Sequence, residues 1–352
     1  MLYDLARPFI FSVDAEKAHS LTIAGLKALP LGPAPHSDSV LATTMAGLHF
    51  PNPVGMAPGF DKNGEVPDAL VRMGFGFAEV GTLTPRPQTG NPKPRIFRLP
   101  QDRAVINRLG FNNQGQDKAI PRLSRMRRRM AKGLLGINIG ANKDSDDRIA
   151  DYVIGVKNMA PLADYLTVNI SSPNTPGLRA LQDKGALEEL LSAVMEARGD
   201  DRPRDDRPPV FLKVAPDLEP ADIEDIVDVS MKQKIDALII SNTTISRPDL
   251  LSSNKQETGG LSGNPLKSLA LQRLRDFRAT SGGKIPLIGV GGIASAEDAY
   301  ARIKAGATLV QIYTAMIYEG PAIAKRINRE LAKMVKRDGL TSISEAVGAD
   351  DK

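Results

Sequence analysis

The stretch PLIGVGGIASAEDAYARIKAGATLVQIYT, residues 286–314, reads as strand, helix and strand in close succession. Apolar runs at 286–290 and 309–313 have the length and composition of strands, and the segment 296–305 between them is amphipathic at helical spacing. The same alternation extends back through the chain. Further short apolar runs fall at 54–57, 77–82, 134–139, 166–170, 210–214 and 237–241, with amphipathic segments at 186–197, 221–232 and 266–280. Eight βα repeats in about 280 residues match an α/β fold of the (β/α)8, or TIM, barrel type in both count and length. A doubly wound sheet would usually use fewer strands.

Three segments depart from the repeat. Residues 95–99 and 103–107 read as a small hairpin inserted after the second strand. Residues 198–209 (RGDDRPRDDRPP) read as a solvated connector without function. The first forty residues lie outside the barrel. There Leu2, Leu5 and Phe9 recur at helical spacing until Pro8 and Asp14 break the pattern. A second helix starts near Asp14, a good N-cap residue, carries Ala18, Leu21, Leu26 and Leu29, and stops at Pro30. Two short helices with apolar faces either pack on the barrel or lie on a membrane. The chain thus divides into an N-terminal helical segment 1–36, a barrel 37–340 and an expected disordered tail 341–352.

Composition narrows the chemistry. The 352 residues suffice for two domains or one large barrel, and 41% hydrophobic with 25% charged residues excludes wholesale disorder. A net charge of +5 is short of what a dedicated nucleic-acid binder shows. Cysteine is absent, which removes disulfides, thiolate metal sites and any Cys nucleophile or acid/base. His19, His36 and His49 are not in paired ligand spacing, so no metal site is expected. No run of eighteen apolar residues occurs, nor a basic region followed by an apolar one as in a secretory signal, so the chain is expected in the cytoplasm or on its membrane surface.

Barrel chemistry sits where the strands end. The first tip is Ala57-Pro58-Gly59-Phe60-Asp61-Lys62. The second and third end at Thr82 and Asn138, and the fourth at Asn169-Ile170-Ser171-Ser172-Pro173-Asn174. Lys213 ends the fifth, Ser241-Asn242-Thr243 the sixth, Gly289-Val290-Gly291-Gly292 the seventh and Tyr313-Thr314 the eighth. Glycine-rich turns after strands 7 and 8 often hold a phosphate, and 259–263 (GGLSG) adds a further cradle. The Asn, Lys and Thr tips suit a heterocycle whose edge needs donors and acceptors. Flavin mononucleotide satisfies both demands.

Together NISSPNTPGLR (169–179), INRLGFNN (106–113), GINIGANK (136–143), LSG (261–263), IGVGGI (288–293) and LVQIYTAMIYEGP (309–321) resemble the dihydroorotate dehydrogenases of pyrimidine biosynthesis. The N-terminal helices and the Ser in the NISSPN loop are similar to the membrane-associated, quinone-reducing class; the soluble classes use a Cys base. The resemblance implies FMN as cofactor, dihydroorotate and orotate as ligands, and peripheral residence at the cytoplasmic face of the inner membrane. Ser172 matches the base that takes the C5 proton while hydride leaves C6 for the flavin, with Thr175 and Phe111 shaping a buried water route. Substrate contacts fall on Lys62, Asn107, Arg108, Leu109, Gly110, Phe111, Asn169, Asn174, Asn242 and Thr243. Flavin contacts fall on Pro58, Gly59, Phe60, Asp61, Lys62, Thr82, Asn138, Asn169, Lys213, Ser241, Gly263, Gly292, Tyr313 and Thr314. Lys213 would stabilise the reduced, anionic ring. His19, Arg98 and Tyr313 match the quinone passage.

Plainer structural roles exist for several of these residues. Ser172 could cap the turn before Pro173, Lys213 could pair with Asp217, His19 could lie on a helix surface and Arg98 could be a hairpin surface charge. Rival readings are a tRNA uridine reductase using the basic segment 122–132, which would be expected to use a Cys acid, and a non-catalytic membrane or RNA adaptor, which would not purify yellow.

Overall fold

The computed structural model describes residues 2–28, 31–127, 133–199 and 207–351. Eight parallel strands close into a barrel: β3 (Val54–Met56), β4 (Phe77–Leu83), β7 (Leu134–Ile139), β8 (Tyr165–Asn169), β9 (Val210–Val214), β10 (Ala237–Ile240), β12 (Leu287–Val290) and β13 (Ala307–Ile312). Each of the eight apolar runs is one of these strands. Around them lie α3 (Pro67–Arg72), α4 (Gln116–Arg127), α5 (Arg148–Met159), α6 (Lys184–Arg198), α7 (Pro220–Lys232), α8 (Lys267–Ser281), α9 (Ala296–Lys304), α10 (Thr314–Glu319) and α11 (Ile323–Arg337).

Both faces of every barrel strand are covered, so the strands can be apolar throughout. Alternation decides which side chains go inward. On β8, Leu166 and Val168 meet the helices while Tyr165 points into the barrel. The same alternation on β9 turns Phe211 inward and Leu212 outward. A hairpin of β1 (Thr43–Met45) and β2 (Leu48–Phe50) supplies Met45 and Phe50 to the same interior cluster. Phe50 meets Phe77 edge-on at 5.3 Å, and Tyr165 stacks on Phe211 at 4.6 Å. Two strand positions must be glycine to admit these rings. A Cβ at Gly55 would lie 2.2 Å from the Phe77 ring, and one at Gly136 2.1 Å from Tyr165.

The inserted hairpin is β5 (Ile96–Leu99) and β6 (Ala104–Asn107), with a third strand, β11 (Gly260–Gly263), where the sequence suggests only a cradle loop. The glycines disguise it, because they are poor strand formers kept here for close approach. A Cβ on Gly260 would fall 2.0 Å from Thr243 Oγ1.

The N-terminal helices are α1 (Leu2–Ser12) and α2 (Ala15–Ala28). Pro8 does not end α1 as expected. Packing overrides its missing N–H: Tyr3 donates to Ile317 O at 2.5 Å, Arg7 to Tyr318 O at 3.0 Å, and Phe11 lies edge-on to Tyr318. Asp14 caps α2 by accepting from Lys17 N at 2.9 Å. Arg95 clamps α2 to the sheet through a two-point pair with Glu16, at 3.0 and 2.7 Å. One face of the pair is thus packed, while Leu5 and Phe9 stay 77% exposed and Leu21 65%.

In the connector, residues 200–206 lie outside the described residues, but Arg198 is not solvated: it is buried against Asp236 at 2.8 Å. In the basic segment, 128–132 lie outside the described residues; Arg122 donates to Asn63 O and Arg127 pairs with Asp164.

The tail from 341 to 351 is packed, contrary to the expected disorder. Short 3-10 turns bury Ile343 and Ala346 against the core, and Asp351 pairs with Arg278 at 2.7 Å. Ile343, Ala346 and the partly buried Val347 supply this anchorage, too few for periodicity to register. Ile343→Ala should therefore cost about 2–5 kcal/mol in denaturant unfolding; a change near zero would mean the tail contributes nothing.

Candidate active site

A cavity of about 530 Å³ opens at the C-terminal ends of the strands, walled by the three-stranded sheet and covered by α1 and α2. Of the candidate site residues, all but Asp61, Arg108, Asn138 and Thr175 line it. Asp61 faces away: its carboxylate accepts from the backbone N–H groups of Glu65 and Val66 at 2.8 and 2.7 Å and so shapes the loop presenting Lys62. Burial raises its pKa, against those hydrogen bonds. Arg108 also turns outward, pairing with Glu257 at 2.7 Å and covering the Phe97 ring at 4.5 Å. Asn138 lies beneath the cavity, fully buried, as a support.

Asn138 rests in turn on a group that carries no local sequence signal beyond an acid in the middle of an apolar run. Glu79, fully buried on β4, accepts from Asn138 Nδ2 at 2.8 Å, Tyr165 OH at 3.0 Å and Gln311 Nε2 at 2.6 Å. Because a carboxylate only accepts, it fixes the donor-to-acceptor direction of the whole chain of hydrogen bonds above it. Asn138 Oδ1 receives Thr82 Oγ1 at 2.6 Å and Asn169 Nδ2 at 3.0 Å. Asn169 Oδ1 receives the Ser171 hydroxyl at 2.7 Å, and Ser171 Oγ receives Asn242 Nδ2 at 2.8 Å.

Lys213 reaches the cavity without the expected partner. Asp217 is committed to Arg179 at 2.9 Å, and no described group accepts a hydrogen bond from the Lys213 ammonium. Burial pushes its pKa down, opposed by the Glu79 charge.

Ser172 is buried at the cavity wall, and its Oγ accepts from Asn174 N at 3.2 Å. It therefore caps the turn and still presents its hydroxyl to the cavity; the two roles coexist. Nearby, Thr175 Oγ1 is buried without a partner. Asn174 Nδ2 meets Asn107 Oδ1 at 3.4 Å. Phe111 sits at φ +52°, a left-handed conformation uncommon for a bulky side chain.

Under the helices the cavity turns aromatic. His19 meets Phe60 edge-on at 5.5 Å, and Phe60 meets Tyr313 at 5.8 Å. Burial, aided by the Lys62 charge, pushes the His19 pKa down to about 3, so its neutral ring faces the Lys62 ammonium, 3.4 Å away. Arg98 is no surface charge: it donates to Phe11 O and Val13 O at 3.2 and 2.8 Å, holding the bend between α1 and α2.

Gly263 and Gly292 line the wall together with Tyr313 and Thr314. At φ +69° Gly292 admits no side chain, since its Cβ would stand 2.4 Å from Lys267 Cα. A sequence model of the dihydroorotate dehydrogenase family matches residues 40–335. The chain belongs to this family. Two curated proteins named dihydroorotate dehydrogenase (quinone) resemble it end to end. That of Erythrobacter litoralis is 62% identical over 351 residues, covering 99% of this chain and 100% of its own. That of Novosphingobium aromaticivorans is 62% identical over 352 residues, covering 99% of each. The crystal structure of the Eimeria tenella enzyme in complex with ferulenol superposes with a TM-score of 0.92 at 43% identity, covering 96% of both chains.

The residues present fit FMN, the cofactor of the family. Close-packed glycines suit a phosphate, the hydrogen-bonded amides suit a heterocycle edge, and a buried ammonium lacking an acceptor suits an electron-rich ring.

Lys62 shares the cavity with Lys213, Arg98 and Arg103, and is the candidate partner for a ligand carboxylate. Burial pushes its pKa down to about 8, so the charge is present below pH 8 and lost above it. Affinity for orotate, followed by the flavin absorbance change, should be level below pH 8 and fall about tenfold per pH unit above it. Lys62→Met should cost about 2–5 kcal/mol of binding and flatten this profile; an unchanged profile would remove Lys62 from the carboxylate site.

Proposed function

We propose that this chain oxidises (S)-dihydroorotate to orotate in pyrimidine biosynthesis, with Ser172 as general base and a membrane quinone as final electron acceptor. The names its relatives carry support the reaction and the acceptor. The observation that carries the assignment of the base is the Ser172 hydroxyl, buried at the wall of an amide-lined cavity in a chain without cysteine.

Oxidation removes a proton from C5 and a hydride from C6. When bound, FMN supplies the hydride acceptor and passes electrons onward. An alcohol is a poor base, so Ser172 must hand its proton on as it takes one. The N–H of Asn174 at its Oγ stabilises developing negative charge there. The unpartnered Thr175 hydroxyl and the Phe111 ring shape the route by which the proton leaves. Asn107, Asn174 and Asn242 orient the ring edge, and Lys62 holds the carboxylate. Lys213 favours electron acceptance by placing positive charge beside the flavin ring.

Quinone enters from the other side. The exposed Leu5, Phe9 and Leu21 give the covering helices an apolar outer face, while His19, Phe60 and Tyr313 lead inward. No helix among the described residues is long and apolar enough to cross a membrane. The contact proposed is therefore peripheral, at the cytoplasmic face of the membrane.

Ser172→Ala should retain flavin and bind orotate yet slow flavin reduction by about 10²–10⁴-fold. Stopped-flow bleaching by dihydroorotate at the wild-type rate would sink the base assignment. Deleting residues 1–36 should leave this bleaching intact while abolishing reoxidation by a long-tailed quinone and weakening liposome association. Thermal melts must accompany it, because the helices also cover barrel surface. A folded truncation that turns over long-tailed quinone at the full rate would show that the helices are packing only.

A further inference from the structure

Arg179 closes the NISSPNTPGLR segment, and neither it nor Asp217 lines the cavity. Its guanidinium, 21% exposed, makes three separate contacts. Nε donates to Ser171 O at 3.0 Å, and a terminal nitrogen donates to Thr243 O at 3.1 Å. The other terminal nitrogen pairs with Asp217 Oδ2 at 2.9 Å. Ser171 immediately precedes Ser172, and Thr243 is itself in the cavity wall. Asp217 extends the connection by accepting from the Thr244 hydroxyl and from Ile245 N at 3.1 Å. Thr244 in turn exchanges backbone hydrogen bonds with Leu261 at 3.1 and 2.8 Å, joining β11 and, through it, Asn107 on β6.

We propose that Arg179, held by Asp217, is a positioning residue that clasps the Ser172 loop to the substrate wall. The inference rests on the reading of Ser172 as base. One planar fork spans the loops after β8, β9 and β10, which a single-point ammonium could not do. Without it, each loop would keep its own turn hydrogen bonds but lose its distance from the next. The base and the amides that orient the substrate would then no longer be fixed relative to each other, and a shift of about 1 Å can cost 10²-fold in rate.

The test uses the full-length, flavin-loaded protein and the variants Arg179→Met, Arg179→Lys, Asp217→Asn and Ser172→Ala. Flavin reduction at saturating dihydroorotate, orotate affinity and flavin midpoint potential are measured for each. Arg179→Met should slow reduction about 10²-fold and weaken orotate binding while leaving the potential and flavin retention unchanged. Arg179→Lys should recover part of the rate, and Asp217→Asn should lose about tenfold. Wild-type reduction by Arg179→Met, with Ser172→Ala slow, overturns the clasp alone. Loss of flavin or a shifted potential in step with the rate overturns it too, since that marks general loosening. Full-rate reduction by Ser172→Ala instead overturns the base assignment. Should Arg179→Met not fold, the isosteric Asp217→Asn decides, and a full rate there overturns the clasp.

Discussion

A carboxylate in the middle of a barrel must be fully supplied with donors, because an unpaired charge without water is costly. Glu79 takes its donors from three other strands: Asn138 on β7, Tyr165 on β8 and Gln311 on β13. Satisfying it therefore locks the relative heights of four strands. It also decides which end of the Asn138 amide faces upward, and through Asn169 and Ser171 that choice runs to Asn242. Burial raises the Tyr165 pKa, with the neighbouring Glu79 charge adding to the effect, so the phenol remains a donor to this carboxylate. The same charge opposes the desolvation of Lys213. The polar face offered to a ligand is thus organised from underneath.

Below this layer the interior is aromatic, and above it the walls are glycine and amide. The two halves need opposite allowances from the backbone. Gly55 and Gly136 withdraw their own side chains so that Phe77 and Tyr165 can fill space. Gly260 and Gly292 withdraw theirs so that neighbouring chain can come close. Packing density below and close approach above are obtained by the same device.

All eight strands are legible in the sequence, because a strand buried on both faces is a short apolar run bounded by turns. Most residues lining the candidate cavity are legible as well, since polar residues at strand tips have few other reasons to recur. The features that escape have tertiary causes. β11 is hidden by glycines that Thr243 and Arg103 require, and the tail by its small apolar content. Asp61 and Arg108 lie within site motifs, yet local backbone geometry turns their side chains away. Glu79 and Arg179 act through other residues, so neither shows a local pattern of its own. Pro8 misleads because its cost is offset by contacts such as that of Arg7 with Tyr318, 311 positions away.

The aromatic file beneath the helices carries a further consequence. His19 is held neutral down to about pH 3, burial lifts the Tyr313 phenol far above physiological pH, and Tyr318 is pushed up to about 12. These three rings neither gain nor lose protons between about pH 5 and 9. Their own charge is therefore constant across that range; what changes beside them is Lys62, whose ammonium stands 3.4 Å from His19. Lys62 loses its charge as the pH rises through about 8. Within one cavity, rings of fixed charge thus stand beside a lysine whose charge the pH sets.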